Sequence, residues 1–284
     1  MIYGITGQKQ SGKNTVAKIW QALDFYHNKN VDKNNEWDTD LKFVNDFLTD
    51  TCLQKSIISN STWQQKSFAH KLKQIVSTLI DCSMEDLEQE GFKNSLAPKF
   101  NGQYKYTNRE LLQYVGTELF RNQLSNTLWI DALFVDYEKP VTKAIRETGG
   151  YTNAKNSVDF PKWLITDVRF LNEAEAIKKR DGKIIRVNRL KIGDKVRVKG
   201  LVEQDGTYMD CIIKRLENKC VVKCKRCIIH VPYDEVILWE KDVHQSEVEF
   251  NKIEEDYSIY NCQDFEFLIK QIKQIMIKEG VIGI

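Results

Sequence analysis

IYGITGQKQSGKNTVAK, the sequence of residues 2–18, begins with a short apolar run and continues into apolar positions at helical spacing. Between the two, Gly7-Gln-Lys-Gln-Ser-Gly12-Lys13 fits the pattern G-x-x-x-x-G-K. Glycines let such a loop curl so that successive backbone N–H groups point at phosphate oxygens, and the following helix presents its positive end to the same anion. Because a strand-like run precedes the pattern and a helix pattern follows it, the sequence predicts a phosphate-binding loop rather than an accidental turn.

The polar side chains of this loop are those expected to hold ATP and its metal ion. Lys13 is placed to reach the β- and γ-phosphates. Position 14 is Asn where Ser or Thr is usual, and Thr15 follows, so the Mg²⁺ ligand on the loop is left open between the two. The predicted ATP-binding residues are Gly7, Lys9, Ser11, Gly12, Lys13, Asn14 and Thr15, together with Arg189.

Strand patterns and helix patterns alternate over most of the chain, which is typical of parallel β–α–β units with right-handed crossovers. Thr107-Asn-Arg-Glu110 has the form of a capping box, so we expect a helix to begin there. Residues 138–160 contain Pro, two Gly and several Asn, and they are expected to form a mobile loop. The predicted strands are 2–6, 65–69, 163–166, 183–187 and 257–260, and the predicted helices are 13–25, 40–52, 70–81, 83–90, 171–180, 264–278 and the one from Thr107.

Residues 191–241 break this alternation. Short strand-like runs separated by turn residues follow one another every 8–12 residues there, which predicts a small all-β, barrel-like insert between 1–190 and 242–284. Its first strand, Gly193-Asp-Lys-Val-Arg-Val-Lys-Gly200, resembles that of an SH3-like barrel. The insert holds 11 Lys and Arg against 8 Asp and Glu, a charge too small to favour nucleic acid over a protein partner or a second subunit.

Cys220, Cys224, Cys227 and His230 lie close together in the insert. Cysteine and histidine are the usual ligands of structural zinc, but this spacing is more compact than in most such sites. The alternation over 220–229 also suits a strand whose successive side chains face opposite ways. Buried thiols are therefore the favoured interpretation, and a zinc site is left open.

Composition narrows the class of protein. The chain has 284 residues, of which 42% are hydrophobic and 29% charged, as in ordinary globular proteins. Its net charge of +2 excludes a strongly basic coat for nucleic acid over the whole chain. No apolar run approaches membrane-spanning length, no secretory signal is expected, and an odd number of cysteines indicates reduced thiols. The sequence predicts a cytoplasmic protein without membrane contact.

The phosphate loop alone does not separate a kinase from a motor or a GTPase. The D-x-x-G and N-K-x-D patterns of switch GTPases are missing from suitable places in the sequence, and 284 residues leave little room for a large motor. A small kinase is therefore the favoured class.

Four further motifs follow the phosphate loop along the chain. They are Phe68-Ala69-x-x-Leu72-Lys73, Leu112-Gln-x-x-Gly116-Thr117-Glu118-x-x-Arg121, Thr166-Asp167-Val-Arg169-Phe-x-Asn172-Glu173-Ala-Glu175 and His244-x-Ser246-Glu247. In this order they resemble the bacteriophage deoxynucleoside monophosphate kinase family, over about residues 1–190 and 242–284. His70 and Asn14 depart from the family pattern, and the insert is not part of it.

The resemblance implies an α/β protein with the three-layer P-loop kinase fold and a parallel sheet. It also implies Mg²⁺-dependent transfer of the γ-phosphoryl group of ATP to a deoxynucleoside 5′-monophosphate, in the host cytoplasm if a phage encodes the chain. The acceptor oxygen of a monophosphate is already anionic, so this reaction needs cations and in-line positioning more than a strong base.

Site roles follow from the resemblance. Arg121 is expected at the acceptor phosphate, Arg169 at the transferring group, and Thr15 and Asp167 near Mg²⁺. Arg121 has an alternative as an ion-pair partner of Glu118 or Glu110, and Asp167 has one as a helix cap. The expected catalytic residues are Lys13, Arg121, Arg169 and Asp167, and the expected acceptor-binding residues are Lys73, Gln113, Thr117, Arg121, Trp129 and Asp131. His244 and Glu247 are further candidates without an assigned role, with the start of a helix as their alternative.

Two rival functions stay open at this point. One is another small-metabolite P-loop kinase, such as a dephospho-coenzyme A kinase. The other is an ATP-regulated nucleic-acid-binding protein that uses the β-insert. The sequence does not decide whether the protein forms a homodimer.

Overall fold

The structure is a computed structural model. It describes residues 1–28, 39–137, 160–189, 195–198, 210–215, 219–223, 228–232, 236–238, 249–262 and 264–283. Three sequence predictions lie outside these residues: the loop predicted over 138–160, except for its last residue, the motif at 244–247, and the two cysteines at 224 and 227.

A five-stranded parallel sheet forms the centre of the molecule. Its strands are β1 (Ile2–Thr6), β2 (Trp63–Lys66), β3 (Lys162–Val168), β4 (Lys183–Asn188) and β10 (Tyr257–Tyr260). They lie in the order β10–β4–β1–β3–β2, and every pair is parallel. Four of the five predicted strands are confirmed. The prediction for 65–69 is wrong in position, because the strand begins at the buried Trp63 and ends before Ser67.

Helices cover both faces of this sheet. Successive strand residues point to opposite faces, so Tyr3 and Ile5 pack into one core and Ile2 into the other. The first core receives α1 (Lys13–Asn28), α2 (Asp40–Thr49), α3 (Thr51–Asn60) and α9 (Phe265–Lys278). The second receives α7 (Leu128–Phe134) and α8 (Leu171–Lys178). The molecule is therefore a mixed α/β protein whose parallel sheet is flanked by helices on both sides.

The sequence did not predict α3. Asp50 caps it by accepting hydrogen bonds from the backbone N–H groups of Cys52 and Leu53. Only Ile57 of its ten residues is buried. A helix without an apolar stripe gives no periodic pattern, which explains why the analysis of spacing missed it.

The chain between β2 and β3 folds partly around a small core of its own, in which Val76, Leu87 and Leu111 are buried. Its elements are α4 (Ala69–Ile80), a 3₁₀ turn at Asp86–Glu88, α5 (Glu90–Asn94) and α6 (Asn108–Gln113). The predicted capping box at Thr107 is confirmed, because its Oγ1 accepts from Glu110 N and Glu110 Oε2 accepts from Thr107 N.

From Tyr114 to Leu124 the helix that begins with α6 continues with π-helical turns, which the sequence did not predict. This segment packs closely on α4. A Cβ atom on Gly116 would lie 2.6 Å from Leu72 Cδ2, so the glycine permits the contact. The close contact places one face of the π-helical segment beside α4.

The insert forms a second sheet, with strands β5 (Lys195–Val198), β6 (Asp210–Arg215), β7 (Lys219–Lys223), β8 (Ile228–Pro232) and β9 (Val236–Leu238). All described pairs are antiparallel, in the order β8–β7–β6–β5–β9. The described residues of this region all lie in strands, in agreement with the sequence analysis. Closure of the sheet into a barrel stays a prediction.

The register of the insert bears on the zinc hypothesis. Cys220 lies opposite Val231, whereas His230 lies opposite Val221. Paired residues share a face and neighbours alternate, so Cys220 and His230 lie on opposite faces of the sheet. Cys220 is buried and His230 is exposed. These two residues therefore cannot ligate one zinc ion together.

The insert shares its small core with the central part of the molecule. Buried Cys262, which follows β10, belongs to the same apolar cluster as Ile212 and Cys220 of the insert. Tyr260 of β10 and Phe267 of α9 pack against it. The second sheet therefore packs against β10 and α9.

An ionic cluster joins α1, α2 and α9. Asp40 accepts a hydrogen bond from Lys273 and lies 3.5 Å from His27 Nε2. His27 and Lys273 hold the pKa of Asp40 well below its ordinary value of 3.8, against the opposing effect of partial burial. Since the folded-state pKa is depressed, this stabilisation is present above the unfolded pKa and is lost as the pH falls through the folded pKa.

We therefore expect Asp40→Asn to lower the urea midpoint of unfolding at neutral pH, because the anion that pairs with His27 and Lys273 is removed. The difference from wild type is expected to shrink as the pH falls below about 4. Glu266→Gln, which removes the exposed pair with Lys270, is the control with a small expected effect. A loss of stability that is equally large at neutral and acidic pH would contradict the assignment.

Candidate functional site

A cavity of about 930 Å³ opens at the carboxyl ends of the central strands. Its walls come from the loop after β1, the residues after β2 and β3, and the helical segments between those two strands. Ligands of open α/β sheets bind at this edge, and the volume suits a molecule of nucleotide size. The cavity is therefore the candidate functional site.

The lining of the cavity is strongly basic. Ten basic side chains line it against five acidic ones, in a chain whose net charge is only +2. A concave surface with one dominant sign of charge raises the local concentration of oppositely charged ligands. The basic residues are Lys9, Lys13, Lys66, Lys71, Lys73, Lys93, Arg109, Arg121, Arg169 and Arg189, and the acidic residues are Glu88, Glu90, Asp136, Asp167 and Glu173.

The loop after β1 has backbone geometry that requires its two glycines. Gly7 has φ +139° and Gly12 has φ +101°, both in the region that disfavours other residues. A Cβ on Gly7 would lie 2.3 Å from Val187 O, and one on Gly12 would lie 2.3 Å from Asn261 Nδ2. Neither position has room for a side chain. Both glycines therefore have the backbone conformations that the predicted loop requires of them.

Lys13 is folded back over this loop. Its Nζ donates to the carbonyl oxygens of Gly7 (2.8 Å) and Gln8, so the ammonium group lies at the loop that would receive the phosphates. Asn14 is exposed and Thr15 is half-buried, and both line the cavity. The Ser11 hydroxyl is fully buried and has no hydrogen-bond partner among the described residues.

Two residues that follow β4 and β10 donate hydrogen bonds to the loop. Arg189 Nη1 donates to Gln10 O (2.8 Å), and Asn261 Nδ2 donates to Ser11 O (2.8 Å). The sequence analysis assigned Arg189 to ATP, and it lies against the loop and lines the cavity. The sequence analysis missed Asn261, which follows β10 and belongs to no motif.

Asp167 caps a helix. Its Oδ1 accepts from Phe68 N (2.9 Å), and its Oδ2 accepts from Ser67 Oγ (2.6 Å) and Ala69 N (2.9 Å). These groups precede or begin α4, so the carboxylate joins the end of β3 to that helix rather than capping α8, which follows it. Three hydrogen bonds still leave a carboxylate with acceptor capacity.

Hydroxyl and carboxylate oxygens on the cavity wall are of the kind that Mg²⁺ takes as ligands. Among the described residues, no group of three or more His, Cys, Asp or Glu side chains is close enough to hold a metal alone. Mg²⁺ usually takes one or two protein ligands together with substrate phosphates and water. The Thr15 hydroxyl and the Asp167 carboxylate, both on the cavity wall, fit that kind of site.

Arg121 forms a buried ion pair with Glu173. Its Nη2 lies 2.6 Å from Glu173 Oε1, and the two side chains are 9% and 3% exposed. Its Nη1 donates to Asn126 O and Asn172 Oδ1, and its guanidinium lies 3.7 Å from the centre of the Phe170 ring. The ion-pair partner is therefore Glu173, not Glu118 or Glu110 as the sequence analysis considered.

Glu173 also holds the turn after β3. Its Oε2 accepts from the backbone N–H groups of Arg169 (2.9 Å) and Phe170 (3.2 Å). Complete burial raises the pKa of Glu173 to about 7, although Arg121 and the two N–H groups act to lower it. The side chain of Arg169 lines the cavity. Glu173 thus links the position of Arg121 to that of Arg169.

Most of the predicted acceptor-binding residues lie on the cavity wall. Lys73, Gln113 and Thr117 line it, as does Trp129, whose Nε1 donates to Gly116 O (2.9 Å). Asp131 is exposed, accepts from Thr127 Oγ1 (2.8 Å) and lies outside the lining. Its placement does not support a role at the nucleoside.

Sequence reasoning missed several charged residues of the wall. Arg109 was recognised only as part of a capping box, and single lysines such as Lys66, Lys71 and Lys93 form no pattern in the sequence. Glu88 and Glu90 likewise gave no indication of lining a cavity. Only the folding of the segment between β2 and β3 brings them into the wall of the same cavity as the loop after β1.

Comparison with models of known protein families gave no match, and no curated protein matches the chain. Among the described residues, no helix combines the length and the apolar character needed to cross a bilayer.

Proposed function

We propose that this protein is a nucleotide kinase that transfers the γ-phosphoryl group of ATP to a deoxynucleoside 5′-monophosphate, on a three-layer P-loop kinase fold. The main support for the proposal is that the phosphate loop forms part of the wall of a cavity. That wall has twice as many basic as acidic side chains. A reaction between two polyanions needs this arrangement, because both must be held together against their repulsion.

The donor side is the loop that follows β1. Its backbone curls around a site at the start of α1, where the positive end of the helix favours phosphate. The Lys13 ammonium lies at the loop surface, where it would contact the β- and γ-phosphates. Arg189 and Asn261 hold the loop through hydrogen bonds to the carbonyl oxygens of Gln10 and Ser11. Bound Mg²⁺, held by Thr15 and Asp167, would neutralise charge on the phosphate oxygens.

The transfer step breaks the bond between the γ-phosphorus of ATP and its bridging oxygen and forms a bond to an oxygen of the acceptor phosphate. The acceptor oxygen carries no proton that must be removed, so no general base is required. Arg169, which the Glu173 carboxylate fixes through its backbone N–H, would stabilise charge on the transferring group.

The nucleoside of the acceptor would bind along the wall made by α4, α6 and α7. That wall combines apolar side chains, among them Leu72, Leu112 and Leu133, with the polar groups of Gln113 and Thr117. Mixed walls of this kind bind nucleosides and other drug-sized ligands. The apolar side chains bury most of the ligand surface, and the few polar groups fix its orientation. If a phage encodes the chain, the reaction would take place in the host cytoplasm.

A panel of acceptors tests the proposal. Purified protein with ATP and Mg²⁺ is given each common ribo- and deoxynucleoside monophosphate in turn, and dephospho-coenzyme A, and ADP release is measured. We expect ADP release that depends on at least one deoxynucleoside monophosphate. Release with dephospho-coenzyme A alone would favour the rival kinase. Salt-dependent binding of nucleic acid without turnover of any acceptor would favour the ATP-regulated binding protein.

A further inference from the structure

Glu90 holds the centre of a cluster of cations on the cavity wall that faces the phosphate loop. Its Oε2 lies 2.6 Å from Arg109 Nη2 and 3.8 Å from Lys9 Nζ, and its Oε1 lies 3.6 Å from Lys93 Nζ. Although desolvation opposes it, these three cations lower the pKa of Glu90, so the carboxylate is charged at neutral pH. Cations of three separate segments thus converge on one anion.

Glu88 completes the cluster. It pairs directly with Lys73 of α4 and lies 3.9 Å from Lys93 Nζ. All of these residues line the cavity. The side chains of Glu88 and Glu90 are 57% and 49% exposed, whereas those of Lys73, Lys93 and Arg109 are only 19%, 15% and 26% exposed. The three cations are therefore the less exposed part of the cluster, and the two carboxylates are the more exposed part.

The pairs of this cluster differ from the pair that Arg121 makes. Glu173 and Arg121 are both buried, and separating such a pair leaves an uncompensated charge in the interior. An exposed carboxylate can give up its cation to another anion with little loss of free energy, because water solvates the released carboxylate. Unlike Arg121, the cations Arg109, Lys73 and Lys93 are therefore available to an incoming phosphate.

We propose that Arg109, Lys73 and Lys93 bind the phosphate of the acceptor nucleotide, and that Glu88 and Glu90 occupy them when the acceptor is absent. This proposal rests on the proposed function. It places the acceptor phosphate at these three cations, whereas the sequence analysis expected it at Arg121. Lys9 of the phosphate loop lies 3.8 Å from Glu90, so an anion that replaces this carboxylate lies beside the donor phosphates. Arginine and lysine side chains are the usual partners of phosphate groups.

Two substitutions of opposite expected sign test the site. Arg109→Ala removes a charge-assisted contact, so we expect the KM for the monophosphate to rise about 10- to 100-fold. Glu90→Gln removes the competing anion, so we expect that KM to fall about two- to fivefold. The KM for ATP should stay unchanged in Arg109→Ala. The matched controls are Lys270→Ala and Glu266→Gln, which disrupt an exposed pair on α9.

The opposite sign separates binding from folding, since damage to the fold cannot lower the acceptor KM. Arg109 also donates to Asn94 Oδ1, so a melting curve accompanies each variant, and Lys93→Ala replaces Arg109→Ala if that variant does not fold. An unchanged acceptor KM in Arg109→Ala, or a raised one in Glu90→Gln, would overturn the proposal. A raised KM for ATP alone would assign the cluster to the donor.

Calorimetric titration with the monophosphate distinguishes failure of this site from failure of the proposed function. If wild-type protein turns over no monophosphate, the kinase proposal fails. The site stands in that case if wild type binds the monophosphate and Arg109→Ala binds it more weakly. Equal binding by wild type and Arg109→Ala, or no binding by wild type, would overturn the site.

Discussion

Lys13→Ala is expected to lower kcat about 10²–10³-fold, the usual cost of removing a donor aimed at developing charge. The Lys13 ammonium contacts two carbonyl oxygens of the loop after β1 and lines the cavity. Among the described residues of this loop, Lys13 is the only lysine whose Nζ donates to carbonyl oxygens of the loop. We therefore expect the melting temperature to change little while phosphoryl transfer is nearly lost.

Lys18→Ala is the matched control for this experiment. Lys18 lies one and a half turns further along α1, and its Nζ donates to Gln54 Oε1 (3.0 Å) rather than to the loop. We expect its kcat to remain close to that of wild type. A Lys13→Ala variant that retains activity within about threefold of wild type would contradict the assignment of the phosphate loop.

Arg121→Met is expected to destabilise the protein by about 3–5 kcal/mol, because it leaves Glu173 buried without its counter-ion. Glu173 is 3% exposed, so water cannot replace the lost cation at its carboxylate. The free energy of unfolding, measured with urea at neutral pH, gives the effect directly.

The double variant Arg121→Met with Glu173→Gln tests the reason for that loss. The amide oxygen of Gln can still accept the backbone N–H groups of Arg169 and Phe170, while the buried charge is gone. We expect the double variant to be more stable than Arg121→Met alone. A single variant within about 1 kcal/mol of wild type would contradict the structural importance of the pair.

Local patterns were sufficient to predict the parts of the fold that one segment specifies by itself. The loop after β1 depends on glycines at fixed spacing between a strand and a helix, and Gly7 and Gly12 have the backbone conformations that this requires. The capping box at Thr107 is likewise formed by residues three apart. Apolar runs found four of the five central strands, since buried parallel strands have no polar face.

Contacts between distant residues could not be predicted in this way. Arg121 and Glu173 are 52 residues apart, and Asn261 meets Ser11 across 250 residues. The opposite orientation of Cys220 and His230 follows from strand register, which spacing in the sequence does not determine. The same holds for Glu90, whose partners come from the phosphate loop, α5 and α6.

Transfer of labelled phosphate tests the central claim most directly. ATP labelled at the γ-phosphate is incubated with the protein, Mg²⁺ and a deoxynucleoside monophosphate, and the nucleotides are then separated. The proposed function predicts label in the deoxynucleoside diphosphate, with an equal amount of ADP formed, in wild type and in Lys18→Ala but not in Lys13→Ala. Label that remains in ATP, or that is found only in inorganic phosphate, with every deoxynucleoside monophosphate would contradict it.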